Sequence, residues 1–312
     1  MNSCTETDDL EILYLDYYYN FYDYSNNTSS HWKKYGELQR VKKIDNEYEL
    51  IGQGFGDFSK RNILRFLIDI PTKIYLFNLN KSCSKKILKG IRWVADKQKR
   101  CFSYDLSRIS LTLDLLSKKI VDLENKTFCV IGDGYGSLGC LIKKIYPNSK
   151  IIYVNLGRTL FFDLYYSKKC FPELKHSLIR SNLCSLSADF NYIEAEYFKK
   201  IFFTSDIFIN IASMQEMNYE QISSYFNAIR NQDIDCWFYC CNRVSKTLPD
   251  GSVINFSEYG WDDSDQIIFD ELCPWQQRFP INWPPFSKKF DGPIKHRLIK
   301  LKKLVPSNEF IK

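Results

Sequence analysis
The segment Val130-Ile-Gly-Asp-Gly-Tyr-Gly-Ser-Leu-Gly139 joins a β-forming run to a helix through closely spaced glycines. Glycines let a backbone turn sharply and approach a ligand with no Cβ in the way, while the helix start offers free N–H groups. Such a turn suits a nucleotide-like ligand. About twenty residues on, Asn155 and then Leu156 stand where the next strand ends, a position at which a side chain meets ribose hydroxyls. Asn carries both a donor and an acceptor for that task, and it equally suits a helix cap. A third polar stretch, Asn210-Ile-Ala-Ser-Met-Gln-Glu-Met217, follows another strand-like run. In a parallel sheet its Ser213, Gln215 and Glu216 sit over the same crevice.

These residues need a scaffold, and from Thr127 onward strand and helix signals alternate. Strands are expected at Thr127–Ile131, Ile151–Val154, Asp206–Ile211 and Asp235–Cys240. Helices are expected over Leu138–Ile145, around Leu160–Leu164, and from Asn218 to Arg230, where Asn218 and Gln221 have capping-box spacing. Alternation of this kind implies a parallel, doubly wound α/β sheet. Upstream, Leu106, Ile109, Leu113, Leu116 and Ile120 define one amphipathic helix, and Ile63, Leu64, Phe66, Leu67 and Ile70 another that Pro71 ends. Residues 1–30 read as a Tyr-rich arm (Tyr17, Tyr18, Tyr19, Tyr22, Tyr24) and loop, and Gly52-Gln-Gly-Phe-Gly56 as a turn. The division expected is a mainly helical region, 1–103, ahead of a ligand-binding domain, 104–312.

The chain has 312 residues, 45% of them apolar, so disorder over most of its length is excluded. No apolar run approaches the roughly 18 residues that span a bilayer, and the acidic start is no secretory signal. Eleven cysteines in no disulfide framework, with no paired metal-ligand spacing, fit a reduced cytoplasm and no metal site. A net charge of +6 is mild, without the dense stripe of a nucleic-acid binder. The basic residues Lys288, Lys289, Lys295, Arg297, Lys300, Lys302 and Lys303 read as a solvated helix face and tail, or as attraction for a phosphate-bearing acceptor or anionic membrane surface.

The glycine turn matches two templates. Gly132-x-Gly134-x-Gly136 fits the S-adenosylmethionine loop of class I methyltransferases, and Gly134-x-Gly136-x-x-Gly139 fits the dinucleotide fingerprint. Taken with Val154-Asn-Leu156, Ser213-Met-Gln-Glu-Met217, Tyr225-Phe226 and Phe238-Tyr-Cys-Cys-Asn-Arg243, the chain resembles the sugar O-methyltransferases of the nanchangmycin-pathway type over roughly residues 100 to 300. The resemblance implies a Rossmann-like class I methyltransferase sheet of seven mostly parallel strands with a helical N-terminal extension. It implies S-adenosylmethionine as methyl donor, S-adenosylhomocysteine as product, and a carbohydrate acceptor that is nucleotide-, lipid- or polymer-linked, as in surface-polysaccharide or glycoside biosynthesis. On this reading Gly132, Asp133, Gly134, Tyr135, Gly136, Asn155, Leu156 and Ser213 hold the cofactor, and Gln215, Arg243 and Asp262 the acceptor. Two positions depart from the pattern, Val130 and Asn155 standing where acidic residues are usual. A nicotinamide-dependent sugar oxidoreductase and a catalytically silent binding protein are the alternatives, and the oligomeric state is left open.

Methyl transfer to an alcohol needs an aligned oxygen and a group that removes its proton. The chain has three histidines. His31 and His176 fall in stretches read as surface, whereas His296, in Asp291-Gly-Pro-Ile-Lys-His-Arg297, belongs to a late polar segment suited to closing over the acceptor. His296 and Glu216 are therefore the candidate catalytic residues. Asp262, Asp263 and Asp265 suit sugar hydroxyls, and Trp261, Trp275 and Trp283 suit either a sugar face or the core.

Overall fold
The computed structural model describes residues 29–36, 40–44, 47–51, 68–180, 186–232 and 234–302. The N-terminal part contains α1 (Ser30–Gly36), an antiparallel hairpin of β1 (Arg40–Ile44) and β2 (Glu47–Ile51), α2 (Ile70–Leu79), α3 (Lys85–Lys97) and α4 (Tyr104–Lys119). The alternating part follows: β3 (Thr127–Ile131), α5 (Ser137–Ile145), β4 (Lys150–Asn155), α6 (Gly157–Cys170), β5 (His176–Ile179), β6 (Phe190–Glu194), α7 (Ala195–Phe198), β7 (Ile207–Ile211), a 3-10 turn (Met214–Glu216), α8 (Tyr219–Arg230) and β8 (Cys236–Arg243). The C-terminal part is built of strands: β9 (Ser245–Thr247), β10 (Val253–Asn255), β11 (Gln266–Leu272), β12 (Arg278–Pro280), β13 (Ser287–Lys289) and β14 (Ile294–Leu301).

The central sheet runs β11-β14-β8-β7-β3-β4-β6-β5. Strands β5, β6, β4, β3, β7 and β8 are parallel, and β14 enters antiparallel between β8 and β11. This is a mostly parallel, Rossmann-like α/β fold with eight strands in its central sheet among the described residues, β5 adding an edge to the seven expected. The chain winds outward from β3 to both sides, so the order reverses between β3 and β7. A crevice at the carboxyl ends of strands beside such a reversal is where open α/β sheets take their ligands.

Both faces of the sheet are covered, which is why β3 and β4 read as continuous apolar runs. One face packs α3, α4, α5 and α6, through residues such as Ile91, Leu113, Leu141 and Phe161. The other packs α8, through Ile222, Phe226 and Ile229, against Phe208 and Phe238. Helix α3 lies so close to α5 that a Cβ on Gly90 would stand 2.9 Å from Ile145 and 3.0 Å from Leu141.

Helix α4 covers the expected amphipathic stretch, with Ser103 Oγ accepting the Leu106 N–H. The capping box of Asn218 and Gln221 opens α8. Pro71 stands in the first turn of α2, where its missing N–H costs nothing, and most of the helix expected before it falls outside the described residues. Strands β5 and β6 were not expected, nor was β14, whose basic residues had suggested a helix face. In β14, Ile294, His296 and Leu298 are buried between the less buried Lys295 and Arg297, a two-residue period that seats the strand between two neighbours. The Tyr-rich arm, Gly52–Gly56, Ile63–Leu67 and Lys303 lie outside the described residues. Among the described residues no helix is long and apolar enough to cross a membrane.

Candidate functional site
At the end of β3, Gly132, Gly134 and Gly136 have φ of +76°, +88° and +62°, a region that disfavours side chains. The Gly132 N–H donates to Val154 O at 2.9 Å, and a Cβ there would stand 2.3 Å from Ser213 Oγ. Gly139 serves packing, since a Cβ would meet the Tyr153 hydroxyl at 2.3 Å. That hydroxyl donates in turn to Gly136 O at 2.8 Å.

Asp133 folds its carboxylate back onto the start of α5. It accepts the N–H groups of Ser137, Leu138 and Gly139 at 3.0, 2.9 and 3.1 Å. Burial raises this carboxyl to about 6 although the backbone donors and Arg100 oppose the shift. Tyr135 is buried, stacked near Phe162 and Tyr166 with the Arg100 guanidinium 4.4 Å from its ring centroid. Gln98 Nε2 donates to Tyr135 O at 3.0 Å and Arg100 Nη1 to Ser137 Oγ at 2.8 Å, so the end of α3 clamps the turn from behind. The side chains of Asp133 and Tyr135 thus shape the loop, and Gly132 and Asp133 are its half-buried members.

Asn155, at the end of β4, is also committed to the loop. Its Nδ2 donates to Asp163 Oδ2 at 2.9 Å, while its Oδ1 accepts the Leu156 N–H at 3.0 Å. Asp163, fully buried on α6, accepts the Gly136 N–H at 2.8 Å, and burial pushes its carboxyl well above the usual range. Beside this position, at the end of β6, stands Glu194, which accepts from Arg180 Nε at 2.7 Å. Its carboxylate is 3.6 Å from where a Cβ on Gly157 would lie. Sequence reasoning missed Asp163, Glu194 and Arg180. An acid inside the apolar run Leu160-Phe-Phe-Asp-Leu164 was the available signal for the first.

Across the reversal, a side-chain network fixes the corner after β7. Asn210 Nδ2 donates to Ile131 O at 3.0 Å, Asn242 Nδ2 to Asn210 Oδ1 at 2.8 Å, and Ser213 Oγ to Ile131 O at 3.1 Å. Gln215 receives the Arg243 N–H on Oε1 at 2.8 Å and gives its own N–H to Asn242 Oδ1 at 3.1 Å. Ala212 is held at φ +62°, a strained conformation that such a network over-determines. Ser213 and Gln215 are therefore buried braces, and they set the position of Glu216.

Glu216 collects the charged groups of this end. Lys246 Nζ lies 3.0 Å and His31 Nε2 3.4 Å from its carboxylate, and Ser29 Oγ donates to its backbone carbonyl. Burial raises the Glu216 carboxyl against the pull of Lys246, Arg108 and Arg243. His31 is lowered to about 4, by burial first and then by Lys246 and Arg243, so its imidazole is neutral near pH 7. The surface placement expected for His31 is thus corrected: α1 brings it to Glu216. His176 is corrected likewise. It is buried in β5, 2.8 Å from the Tyr192 hydroxyl and 2.9 Å from Phe171 O.

His296 lies elsewhere. It is 1% exposed in β14, Nδ1 is 3.2 Å from the Tyr239 hydroxyl, and the rings of Phe269 and Trp275 enclose it. Asp262 is exposed in the turn before β11, accepting the Ser264 N–H and hydroxyl at 2.8 and 2.6 Å. Its neighbour Asp265 binds Arg230 and receives the Lys302 N–H, which places the turn near the amino end of β8, whereas the glycines follow the carboxyl end of β3. The structure brings together the glycine turn, Asn155, Ser213, Gln215, Glu216 and Arg243, and leaves Asp262 apart from them.

No family model matches the chain, and no curated protein matches it. Among solved structures it is similar to a Thermoplasma acidophilum protein, at 8% identity over 70% of this chain and 98% of that one, with a TM-score of 0.46. A Pyrococcus horikoshii protein assigned by name to the RNA methyltransferases aligns at 12% identity over 65% and 84%, with a TM-score of 0.42. A mitomycin 7-O-methyltransferase aligns at 10% identity over 83% and 79%, with a TM-score of 0.40. The fold assignment rests on the strand order and registers themselves.

Proposed function
We infer that this chain transfers a methyl group from S-adenosylmethionine to a hydroxyl of a carbohydrate acceptor. The observation that carries the choice of cofactor is Asp133. A dinucleotide places its pyrophosphate on the free N–H groups that begin the first helix. Here those of Ser137, Leu138 and Gly139 are taken by a carboxylate, which also repels a phosphate. A cofactor without phosphates and with a cationic sulfonium meets no such conflict. The nicotinamide reading is set aside on this ground.

When bound, S-adenosylmethionine supplies an activated methyl that passes to the acceptor oxygen, leaving S-adenosylhomocysteine. Gly132, Gly134 and Gly136 form the sharp turn after β3 that would face the cofactor, and Asn155 and Glu194, at the neighbouring strand ends, would border its ribose and base side. Glu216 Oε2 lies 3.4 Å from His31 Nε2 and orients the neutral imidazole, the group assigned here to take the acceptor's proton. His31 is preferred to His296 in this role because it shares the rim with Glu216, whereas His296 is enclosed by core rings. The carbohydrate class rests on the resemblance carried by Ser213–Met217 and Phe238–Arg243.

Calorimetric titration with S-adenosylhomocysteine and, separately, with NADPH tests the reading. Binding of the first alone, lost on Gly134→Trp in a variant that still melts cooperatively, supports it. Binding of NADPH alone overturns it.

A further inference from the structure
The charged groups around Glu216 are out of balance. Lys246, Arg243 and Glu216 are 13%, 21% and 18% exposed in their side chains, and Arg108, also largely buried, is within electrostatic reach of the same carboxylate. Among the described residues, then, the cations Lys246, Arg243 and Arg108 surround the single buried carboxylate of Glu216. The described acids paired with Arg243 and Arg108 stand at the rim: Asp291, 3.5 Å from Arg243, is 99% exposed, and Asp105, 3.1 Å from Arg108, is 43% exposed. Water screens such rim charges far more than it screens the buried ones. A second observation agrees. Lys246 and Arg243 together oppose protonation of His31 although a carboxylate lies 3.4 Å from its ring. Arg108 is held by Asp105 at its Nε and by Gln276 Oε1, 3.5 Å from its Nη1.

The geometry points to an anion subsite formed by Lys246, Arg243 and Arg108, which takes a phosphate carried by the acceptor next to the hydroxyl that is methylated. The proposal rests on the methyl-transfer reading and names its substrate class: a phosphate-linked sugar. Arg243 ends β8 and Lys246 lies on β9, so both are presented from the strand end beside the 3-10 turn that carries Glu216. An acceptor phosphate held there neutralises the excess cation and orients the sugar over His31. Guanidinium groups suit this contact because their N–H fork matches phosphate oxygens.

The test titrates the full chain, saturated with S-adenosylhomocysteine, with four probes: inorganic pyrophosphate, glucose 1-phosphate, UDP-glucose and a short-chain prenyl diphosphate. The tightest probe separates a nucleotide-linked from a lipid-linked or simple phosphate source. Lys246→Met and Arg243→Met each weaken that probe roughly tenfold or more, and Arg243→Lys, which keeps the charge but loses the fork, weakens it less than Arg243→Met. Probe binding also raises the pKa of His31 in an NMR titration, because an anion then stands beside the imidazole. If Lys246→Met, which strands Glu216, fails to fold, Lys246→Met with Glu216→Gln carries the same test. Absence of millimolar binding by every probe overturns the subsite, and binding that these substitutions leave unchanged marks an adventitious ion only. Failure of S-adenosylhomocysteine to bind, measured separately, overturns the methyl-transfer reading itself.

Discussion

Asn155 and Asp163 form one unit: the amide of the first donates to Oδ2 of the second at 2.9 Å, and Oδ1 of the second accepts the Gly136 N–H at 2.8 Å. This explains why the residue ending β4 is not acidic. The carboxyl has been placed on α6 instead, where it holds the glycine turn from below. Asn155→Asp sets two carboxyls against each other in a buried site, and one must keep a proton. The expected loss is about 2–4 kcal/mol at pH 7, smaller at pH 5, where a shared proton is easier to hold. Urea unfolding measures it. The swap Asn155→Asp with Asp163→Asn restores the donor–acceptor pairing and most of the stability, and failure of that rescue would sink the explanation.

Gly132 and Ser213 define the narrowest approach at the switch point. Gly132→Ala places a methyl 2.3 Å from Ser213 Oγ at φ +76°. The backbone conformation alone costs about 1–2 kcal/mol and the overlap about 1–3 kcal/mol more. Adding Ser213→Gly removes the overlap but not the conformational cost. Thermal unfolding should therefore rank wild type first, the double variant next and Gly132→Ala last. Equal melting of the two variants would show that Ser213 exerts no steric constraint.

The strands and helices around the glycine turn were legible because their signals are local. Leu138, Leu141, Ile142 and Ile145 repeat at helical spacing, and Asn218 with Gln221 marks a start that the capping box realises. Strand β6 escaped because Asn191 interrupts its apolar residues. Asn191 is nonetheless buried, its Nδ2 donating to Ala188 O at 2.9 Å. The two-residue period of β14 was hidden beneath its Lys and Arg residues. The site was less legible than the fold, for a plain reason. Ser29 and Glu216 are 187 positions apart, and no local pattern announces that α1 docks there and carries His31 with it.

Asp133 gives the fold a pH signature. Its carboxyl stands at about 6 in the folded chain, above the usual value of 3.8, because burial outweighs the backbone donors. A raised value means that the folded state holds the proton more tightly than the unfolded one. The resulting stability is fully present below pH 3.8 and is lost as pH rises through about 6. The loss is on the order of 2–3 kcal/mol over that window, and Asp163, raised in the same direction, extends the decline upward. Asp133→Asn has no proton to lose. The stability difference between it and wild type should move in favour of the variant from pH 4 to pH 6.5, followed by denaturant unfolding at each pH. A constant difference would mean that Asp133 is already ionised throughout.

His31 makes the opposite prediction, and it links α1 to the chemistry. Its value is lowered from 6.5 to about 4, so the unfolded chain takes up a proton before the folded one does. The docked state of α1 is therefore most stable above pH 6.5 and weakens as pH falls toward 4. Hydrogen exchange over residues 30–36 should show protection that declines across this window, and His31→Gln should flatten that decline. In turnover, His31→Gln lowers kcat by roughly 10²–10⁴ if the imidazole takes the acceptor's proton, while S-adenosylhomocysteine affinity is unchanged. Glu216→Gln keeps the imidazole in the site but withdraws the charge that orients it, so it lowers kcat less than loss of the ring. A His31 variant with lost protection but unchanged kcat would leave His31 as a docking residue only.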